Sequence, residues 1–544
     1  MQLPVSEKPD IRPERSPGRI SGFSLPSWRS LLLLWLPAGL VAASLLVPVI
    51  YLFVRAASGS AGLAGVVLRP ENLGVLANSL ALAVAAAACS AAIALPLAWL
   101  TVRTDLPLRR MWTVLTVLPL VIPSYIGAYL MVSTIGPRGL LQGWLEPLGV
   151  ERLPSIYGFP GALAVLTFLS YPYTLLSVRA SLLGMDPALE EASRSLGRSA
   201  WQTFWKVTFP QMRPGLAAGS LLVALYALRD FGAVAIMRYN SFTRVIYVQY
   251  QSLIDRSAAA GLALVLVAVT IGMIWLERRT QRAHRMYSSG SFKRPPAILP
   301  LGPWTLPATL FCALVVLVSL VIPGANLVYW LVRGLAAGEQ IGAHWDETFN
   351  SLAVSAGAAV MIVIAALPIS VLSVRQPGRL SGLMERAAYI GFALPGVVIA
   401  LSLVFFGANY APAIYQTIPL LIFAYLVLFM PQATGAVQVS LSQVHPNLEE
   451  AGRSLGRSPL DVFRRVTLPI VRPGLLSGAA LVFLTAMKEL PATLILSPIG
   501  FGTLATSVWG AVNGVFFAQA AVPALLLIVV SSVPMAVLVL RRDL

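Results

Sequence analysis

Apolar runs of about twenty residues recur along the whole chain, separated by short polar stretches. Each run is long enough to cross a hydrocarbon layer about 30 Å thick as a helix. The pattern predicts spans over 31–54, 77–101, 111–134, 160–182, 216–238 and 258–276. It predicts six more over 304–332, 350–374, 386–408, 413–438, 475–497 and 519–540. Residues 1–25 are polar and Pro-rich and read as a disordered tail. The run that follows is too long for a cleavable signal core. A basic stretch without apolar periodicity, 277–296, separates six spans from six. The expected organisation is a cytoplasmic tail over 1–30, a first half over 31–276, a linker over 277–303 and a second half over 304–544.

Composition supports the pattern. Of 544 residues, 57% are hydrophobic and 11% charged, and the mean hydropathy is +0.78. A soluble domain carries about 25% charged residues. The expected fold class is an all-α polytopic membrane protein of about twelve transmembrane helices. The net charge of +17 would suit nucleic acid, but its distribution indicates a membrane. With the N-terminus inside, Arg103, Arg109, Arg110, Arg179, Arg194, Arg198, Lys206 and Arg213 fall on the cytoplasmic side. So do the linker arginines, Arg375, Arg379, Arg386, Arg453, Arg457, Arg464, Arg465, Arg472 and the terminal Arg541 and Arg542. The opposite side keeps few, among them Arg55, Arg69, Arg238, Arg244 and Arg333. This bias places both termini and the linker in the cytoplasm. No nucleic-acid partner is expected; membrane lipid is.

Cys89 and Cys312 lie in apolar runs and read as small hydrophobes. His284, His344 and His445 are scattered, and no metal site is expected. No catalytic constellation lies inside the spans, which argues against an intramembrane enzyme.

The halves repeat one another. Asn78 opens "NSLA", and so does Asn350. Pro96, Pro123 and Pro172 recur as Pro368, Pro395 and Pro431. Two halves of like topology, six spans each, make parallel repeats about an axis normal to the membrane.

The best-preserved repeat is the most polar. Residues 186–216 and 445–475 share 19 of 31 positions, including "EEASRSLG" and "EEAGRSLG". Asp186 is placed to cap a helix, Pro187 to open it and Gly197 to end it in a left-handed turn. Leu189, Ala192 and Leu196 share one helical face. A second short helix follows, opened by Ser458 and Pro459 in one copy and more weakly by Ser199 in the other. "P..RPGL", from Pro210 and Pro469, is expected to break the helix before the next span. A solvated loop has no reason to diverge less than the spans beside it, so both copies are expected to touch a partner in the same way.

These segments resemble the EAA loop of ABC-importer permeases: E-A-A, three residues, G, nine residues, I-x-L-P. The first copy has Glu191-Ala192-Ser193, Gly197 and Val207-Thr208-Phe209-Pro210. The second has Glu450-Ala451-Gly452, Gly456 and Val466-Thr467-Leu468-Pro469. The departures are small or apolar exchanges. The resemblance implies that Glu190, Glu191, Ala192, Leu196, Gly197 and Pro210, with Glu449, Glu450, Ala451, Leu455, Gly456 and Pro469, couple the chain to two copies of an ATPase subunit. In such docking the apolar face fills a groove, and Glu and Arg set register at its rim. The chain has no G-x-x-x-x-G-K-[ST] sequence, so ATP and magnesium belong on the partner and no cofactor is expected here. A periplasmic or extracellular solute-binding protein is the other implied partner, and the bacterial inner membrane the location. The fused two-half form resembles the ferric-iron and thiamine import branch, with ferric iron the expected cargo. A secondary transporter with parallel repeats is the alternative of another class. It would not need duplicated docking helices.

Two charged pairs fall inside matched spans: Arg229-Asp230 and Lys488-Glu489, each about 24 Å along a helix. Intramembrane charge is costly and marks function. Cross-pairing is expected, Arg229 with Glu489 and Lys488 with Asp230, either lining the path or locking the halves together. Gly232 and Pro491 would loosen the helix there. Tyr125, Tyr129, Tyr171 and Tyr173 offer phenolic oxygens but read better as interfacial aromatics.

Overall fold

A computed structural model describes residues 28–57, 65, 69–137, 139–150, 153–251, 256–282, 298–340 and 342–542. Most of the predicted tail and linker, including His284, lies outside them. Among the described residues the regular elements are helices, and the only β-type pairing is an isolated bridge between Thr104 and Leu299. Among the described residues, eight helices are long and apolar enough to cross a membrane, ten if two bent pairs count as one span each. The two expected spans still missing from that count lie in Phe209–Arg229 and Arg256–Arg282. Their second-half counterparts, Leu460–Met487 and Phe517–Pro534, qualify. The protein is thus an all-α polytopic membrane protein built as two repeats.

Three helices form the centre of each half. Pro70–Arg103 packs on Phe159–Leu183 and Phe209–Arg229, as Trp345–Arg375 does on Ile418–Ser442 and Leu468–Met487. Glycines allow the close approach of the fourth and fifth spans. A Cβ on Gly219 would fall 2.6 Å from the Thr174 backbone, and one on Gly478 would fall 3.2 Å from Ala436. Lipid offers apolar side chains no reason to leave it, so close van der Waals packing of small residues has to hold such helices together.

The first span of each half crosses to the other half. Trp28–Leu45 packs on Trp345–Arg375 and Arg379–Ala388. Thr305–Val316 and Ile322–Ala336 pack on Pro70–Arg103 and Ser124–Ile135. Asn326 ties the second crossing, its amide donating to the Leu130 carbonyl at 3.1 Å and to Ser133 at 2.8 Å. One buried apolar cluster consequently runs through both halves.

The third and ninth spans are not straight rods. Arg109–Val121 meets Ser124–Leu148 at 96°, and Arg379–Phe392 meets Gly396–Tyr410 at 109°. The breaks fall at Pro123 and Pro395, both extended, with ψ of 149° and 151°. Proline lacks the amide that would continue the helix, and its ring keeps the preceding residue out of helical geometry.

The expected break at "P..RPGL" does not occur. A π-helical turn, Phe204–Thr208 in one half and Phe463–Thr467 in the other, leads without interruption into Phe209–Arg229 and Leu468–Met487. A third π turn, Leu317–Val321, likewise ends two residues before a proline, Pro323. The wider turn absorbs the carbonyl that a proline ring would strike in a regular helix.

Cys312 is buried, whereas Cys89 is exposed on its helix. The four tyrosines are not an interfacial belt. Tyr125, Tyr129 and Tyr171 are buried inside the bundle, and Tyr129 donates to the Phe517 carbonyl at 2.9 Å.

Candidate coupling and gating sites

Each duplicated segment folds as a short helix, a left-handed turn and a second short helix. The first helix is Pro187–Ser195 in one half and Pro446–Ser454 in the other. Asp186 caps the former, accepting from the Ala188 amide at 3.0 Å. His445 caps the latter, its Nδ1 accepting from Asn447 at 3.3 Å, a role its sequence context did not suggest. Gly197 and Gly456 end these helices at φ of 80° and 78°. A Cβ there would meet nothing within 4 Å, so the backbone angle alone calls for glycine. The second helix starts as firmly in the first copy as in the other. Ser199 and Gln202 form a reciprocal capping box, while Ser458 caps Asp461 at 3.2 Å. The sequence reading overlooked Gln202 as the return partner.

The outer face is apolar and uncovered. Leu196 is 78% exposed and Leu455 82%. Leu189, Ala192, Leu448 and Ala451 are exposed beside them, as are Glu191 and Glu450.

The other acid of each pair turns inward, which corrects its expected place at the rim. Glu190 is buried, forms an ion pair with Arg103 and accepts from Thr208 at 2.8 Å. Glu449 accepts from Arg375 at 2.9 Å and from Thr467 at 3.0 Å. Arg103 and Arg375 end the second and eighth spans, and Thr208 and Thr467 close the two π turns. Each inner Glu therefore joins the docking helix to two spans at once. Reading Arg103 and Arg375 only as orientation signals misses this. The available signal was their matched placement in "LTVR" and "LSVR".

The second constellation lies where the fifth and eleventh spans stop. The helix ends at Arg229 in one half and at Met487 in the other. Short helices, Gly232–Ile236 and Pro491–Leu496, follow. Asp230 accepts from the Ala233 amide at 2.9 Å and is also bonded by Ser124. Glu489 accepts from Ala492 at 3.2 Å. Both acids thus sit at the positive end of a helix, the one place in a membrane where a carboxylate finds unpaired amides. Each break in the fifth or eleventh span also seats on the proline break of its own half. A Cβ on Gly232 would fall 2.9 Å from the Tyr125 amide, and one on Gly396 would strike the Glu489 carboxylate.

The expected cross-pairs are not made. Among the described residues no ion pair joins Arg229, Asp230, Lys488 and Glu489 to one another. Lys488 donates instead to the Leu120 carbonyl of the other half at 2.8 Å. That carbonyl lies in the turn ahead of Pro123, where the proline break interrupts regular helical bonding. Arg229 and Glu489 interact only through their charges. Glu489 also borders a small cavity with Ser351, Ser355, Tyr425 and Thr503.

Comparison with known proteins places the chain in a family. The sequence profile of the binding-protein-dependent transport system inner membrane component matches residues 90–285 and again 358–542. The Fe(3+)-transport system permease protein FbpB 2 of Haemophilus influenzae is 33% identical over 94% of this chain and 98% of its own length. The ferric transport system permease protein FbpB of Actinobacillus pleuropneumoniae is 26% identical over 78% of this chain and 64% of its own. A probable molybdenum ABC transporter permease of Haloferax volcanii is 31% identical over 50% of this chain and 96% of its own. Matched in both halves and over nearly its full length, the chain belongs to the family of binding-protein-dependent transport system inner membrane components.

Proposed function

We propose that this chain is the translocating subunit of an ATP-driven ferric-iron importer. Two ATPase subunits grip it, one beneath each half (31–276 and 304–544), and an external solute-binding protein delivers the cargo. The observation that carries the coupling reading is the pair of rigidly capped helices, each with an uncovered leucine face and an outward glutamate. A capped helix transmits displacement, and an apolar face fills a groove. Leu189, Ala192 and Leu196 form the face in the first half; Leu448, Ala451 and Leu455 form it in the second. Glu191 and Glu450 set register at the rim. Gly197 and Gly456 shape the turn, and Pro210 and Pro469 lie where the segment enters the next span.

ATP hydrolysis, with its magnesium, belongs to the partner, and this chain binds no cofactor of its own. Both termini and the linker face the cytoplasm, which puts the docking helices on the side where ATP is held. Ferric iron is favoured over thiamine because the Haemophilus influenzae and Actinobacillus pleuropneumoniae relatives are ferric-transport permeases. Arg229, Asp230, Lys488 and Glu489 form the gate between the halves, in which two helix-capping carboxylates anchor the breaks and Lys488 reaches across.

Co-purification with the co-expressed ATPase tests the reading. The pair Glu191→Ala and Glu450→Ala is expected to lose the ATPase subunit and iron uptake while the permease itself stays folded. Undiminished complex, with undiminished stimulation of ATP hydrolysis by ferric-loaded binding protein, refutes it.

A further inference from the structure

We infer that Arg103 and Arg375 are positioning residues of the coupling machinery: each anchors the inner glutamate of a docking helix so that its displacement passes to two spans together. The inference rests on the coupling role proposed above and specifies how a push leaves the docking helix.

The geometry repeats in both halves. Glu190 stands in the first turn of Pro187–Ser195 and is held from one side by Arg103, from the other by Thr208. Glu449 is held in the same way by Arg375 and Thr467. The arginine ends the second span in one half and the eighth in the other, and the threonine lies at the foot of the span that follows the docking helix. A docking helix joined to the bundle only by its flanking chain would pivot on those ends. The shared carboxylate adds a third, non-sequential attachment.

Burial makes that attachment stiff. The side chains of Arg103 and Glu190 are 2% and 11% exposed, those of Arg375 and Glu449 18% and 14%. Separating opposite charges costs more where water cannot replace the lost partner. Trp99 covers the Arg103 guanidinium, 5.6 Å from its ring centroid, and meets Phe204 of the π turn edge-on at 5.1 Å. In the other half Arg375 also donates to the Val444 carbonyl at 3.0 Å, just ahead of the capping His445. The helices that begin beyond Thr208 and Thr467 run about 30 Å and end at the Arg229-Asp230 and Lys488-Glu489 breaks. The joint therefore lies on a continuous helical connection from docking surface to gate.

The test uses the full importer in lipid nanodiscs: this chain, its ATPase partner and ferric-loaded binding protein. Arg103→Met with Arg375→Met is compared with Arg103→Lys with Arg375→Lys. The Met pair is expected to retain the ATPase and its basal hydrolysis, while stimulation by loaded binding protein falls about tenfold or more. The Lys pair, which keeps the charge, is expected to keep most of the stimulation. Full stimulation in the Met pair overturns the inference. So does loss of the ATPase subunit by both pairs together with loss of thermal stability, which marks a role in folding alone. If the unaltered importer is not stimulated, the coupling reading beneath the inference has failed; that result is distinct from a Met pair failing beside a stimulated parent.

Discussion

The Arg375 guanidinium reaches the Glu449 carboxylate at 2.9 Å across 74 residues of sequence, and the Thr467 hydroxyl donates to the same oxygen at 3.0 Å. Two neighbouring glutamates in one motif thus have opposite fates, one drawn inward and one left outside. Substitution separates them. Glu190→Ala strands a buried guanidinium and is expected to cost about 3 kcal/mol of stability, lowering the melting temperature in detergent. Glu191→Ala, at an exposed position, is expected to stay within about 0.5 kcal/mol while losing the ATPase partner. Equal melting temperatures for the two variants would contradict the assignment.

His445 occupies the capping position that Asp186 holds in the first copy. Aspartate is a far commoner cap than histidine. His445→Asp is therefore expected to stabilise the helix Pro446–Ser454 by about 1 kcal/mol. Slower hydrogen exchange at the amides of Asn447 and Leu448 would register the gain; unchanged exchange would mean that the cap contributes little.

Glu489 is seated against Gly396, where the ninth span resumes after Pro395. Gly396→Ala places a methyl group where the carboxylate lies and must displace it. Both Gly396→Ala and Glu489→Ala are expected to abolish iron uptake while the ATPase remains docked. Normal uptake by either variant, measured with radioactive ferric iron in cells, would remove Glu489 from the gate.

The end of the linker is tied to the first joint. The Leu299 amide donates to the Arg103 carbonyl at 2.7 Å, and the Leu301 amide to the Asp105 carboxylate at 2.8 Å. Asp105→Ala is expected to free this strand and speed protease cleavage between residues 298 and 301. The same change is expected to weaken stimulated ATP hydrolysis less than loss of Arg103 does, since the Arg103–Glu190 pair remains. A cleavage rate unaffected by the substitution would show that the aspartate does not hold the linker.

Much of this protein was legible before any coordinates. The period and length of the apolar runs placed the spans, because a bilayer accepts backbone only when its polar groups are satisfied within the segment. The duplicated "EEA.RSLG" carried its own local folding instructions in Asp186, Pro187 and Gly197, since caps and left-handed turns are decided over a few residues. Charge at Arg229-Asp230 and Lys488-Glu489 marked a candidate site in the fifth and eleventh spans, though not its bonding. Hydropathy could not reveal that Pro123 and Pro395 bend their spans by about a right angle: other prolines, such as Pro96 and Pro368, sit inside unbroken helices. Nor could it show that the π turns before Pro210 and Pro469 keep the helix going.

What the sequence determined by itself, then, is local and periodic: the spans, the repeat and the two capped helices. What only the tertiary structure decided is which distant groups meet: Arg103 with Glu190, Arg375 with Glu449, Lys488 with the Leu120 carbonyl. Those partners are chosen by where packed helices end and which polar groups are left without water. A carboxylate in such a place takes whichever donors surround it, be they helix amides or a guanidinium 87 residues away, and no spacing along the chain records that choice.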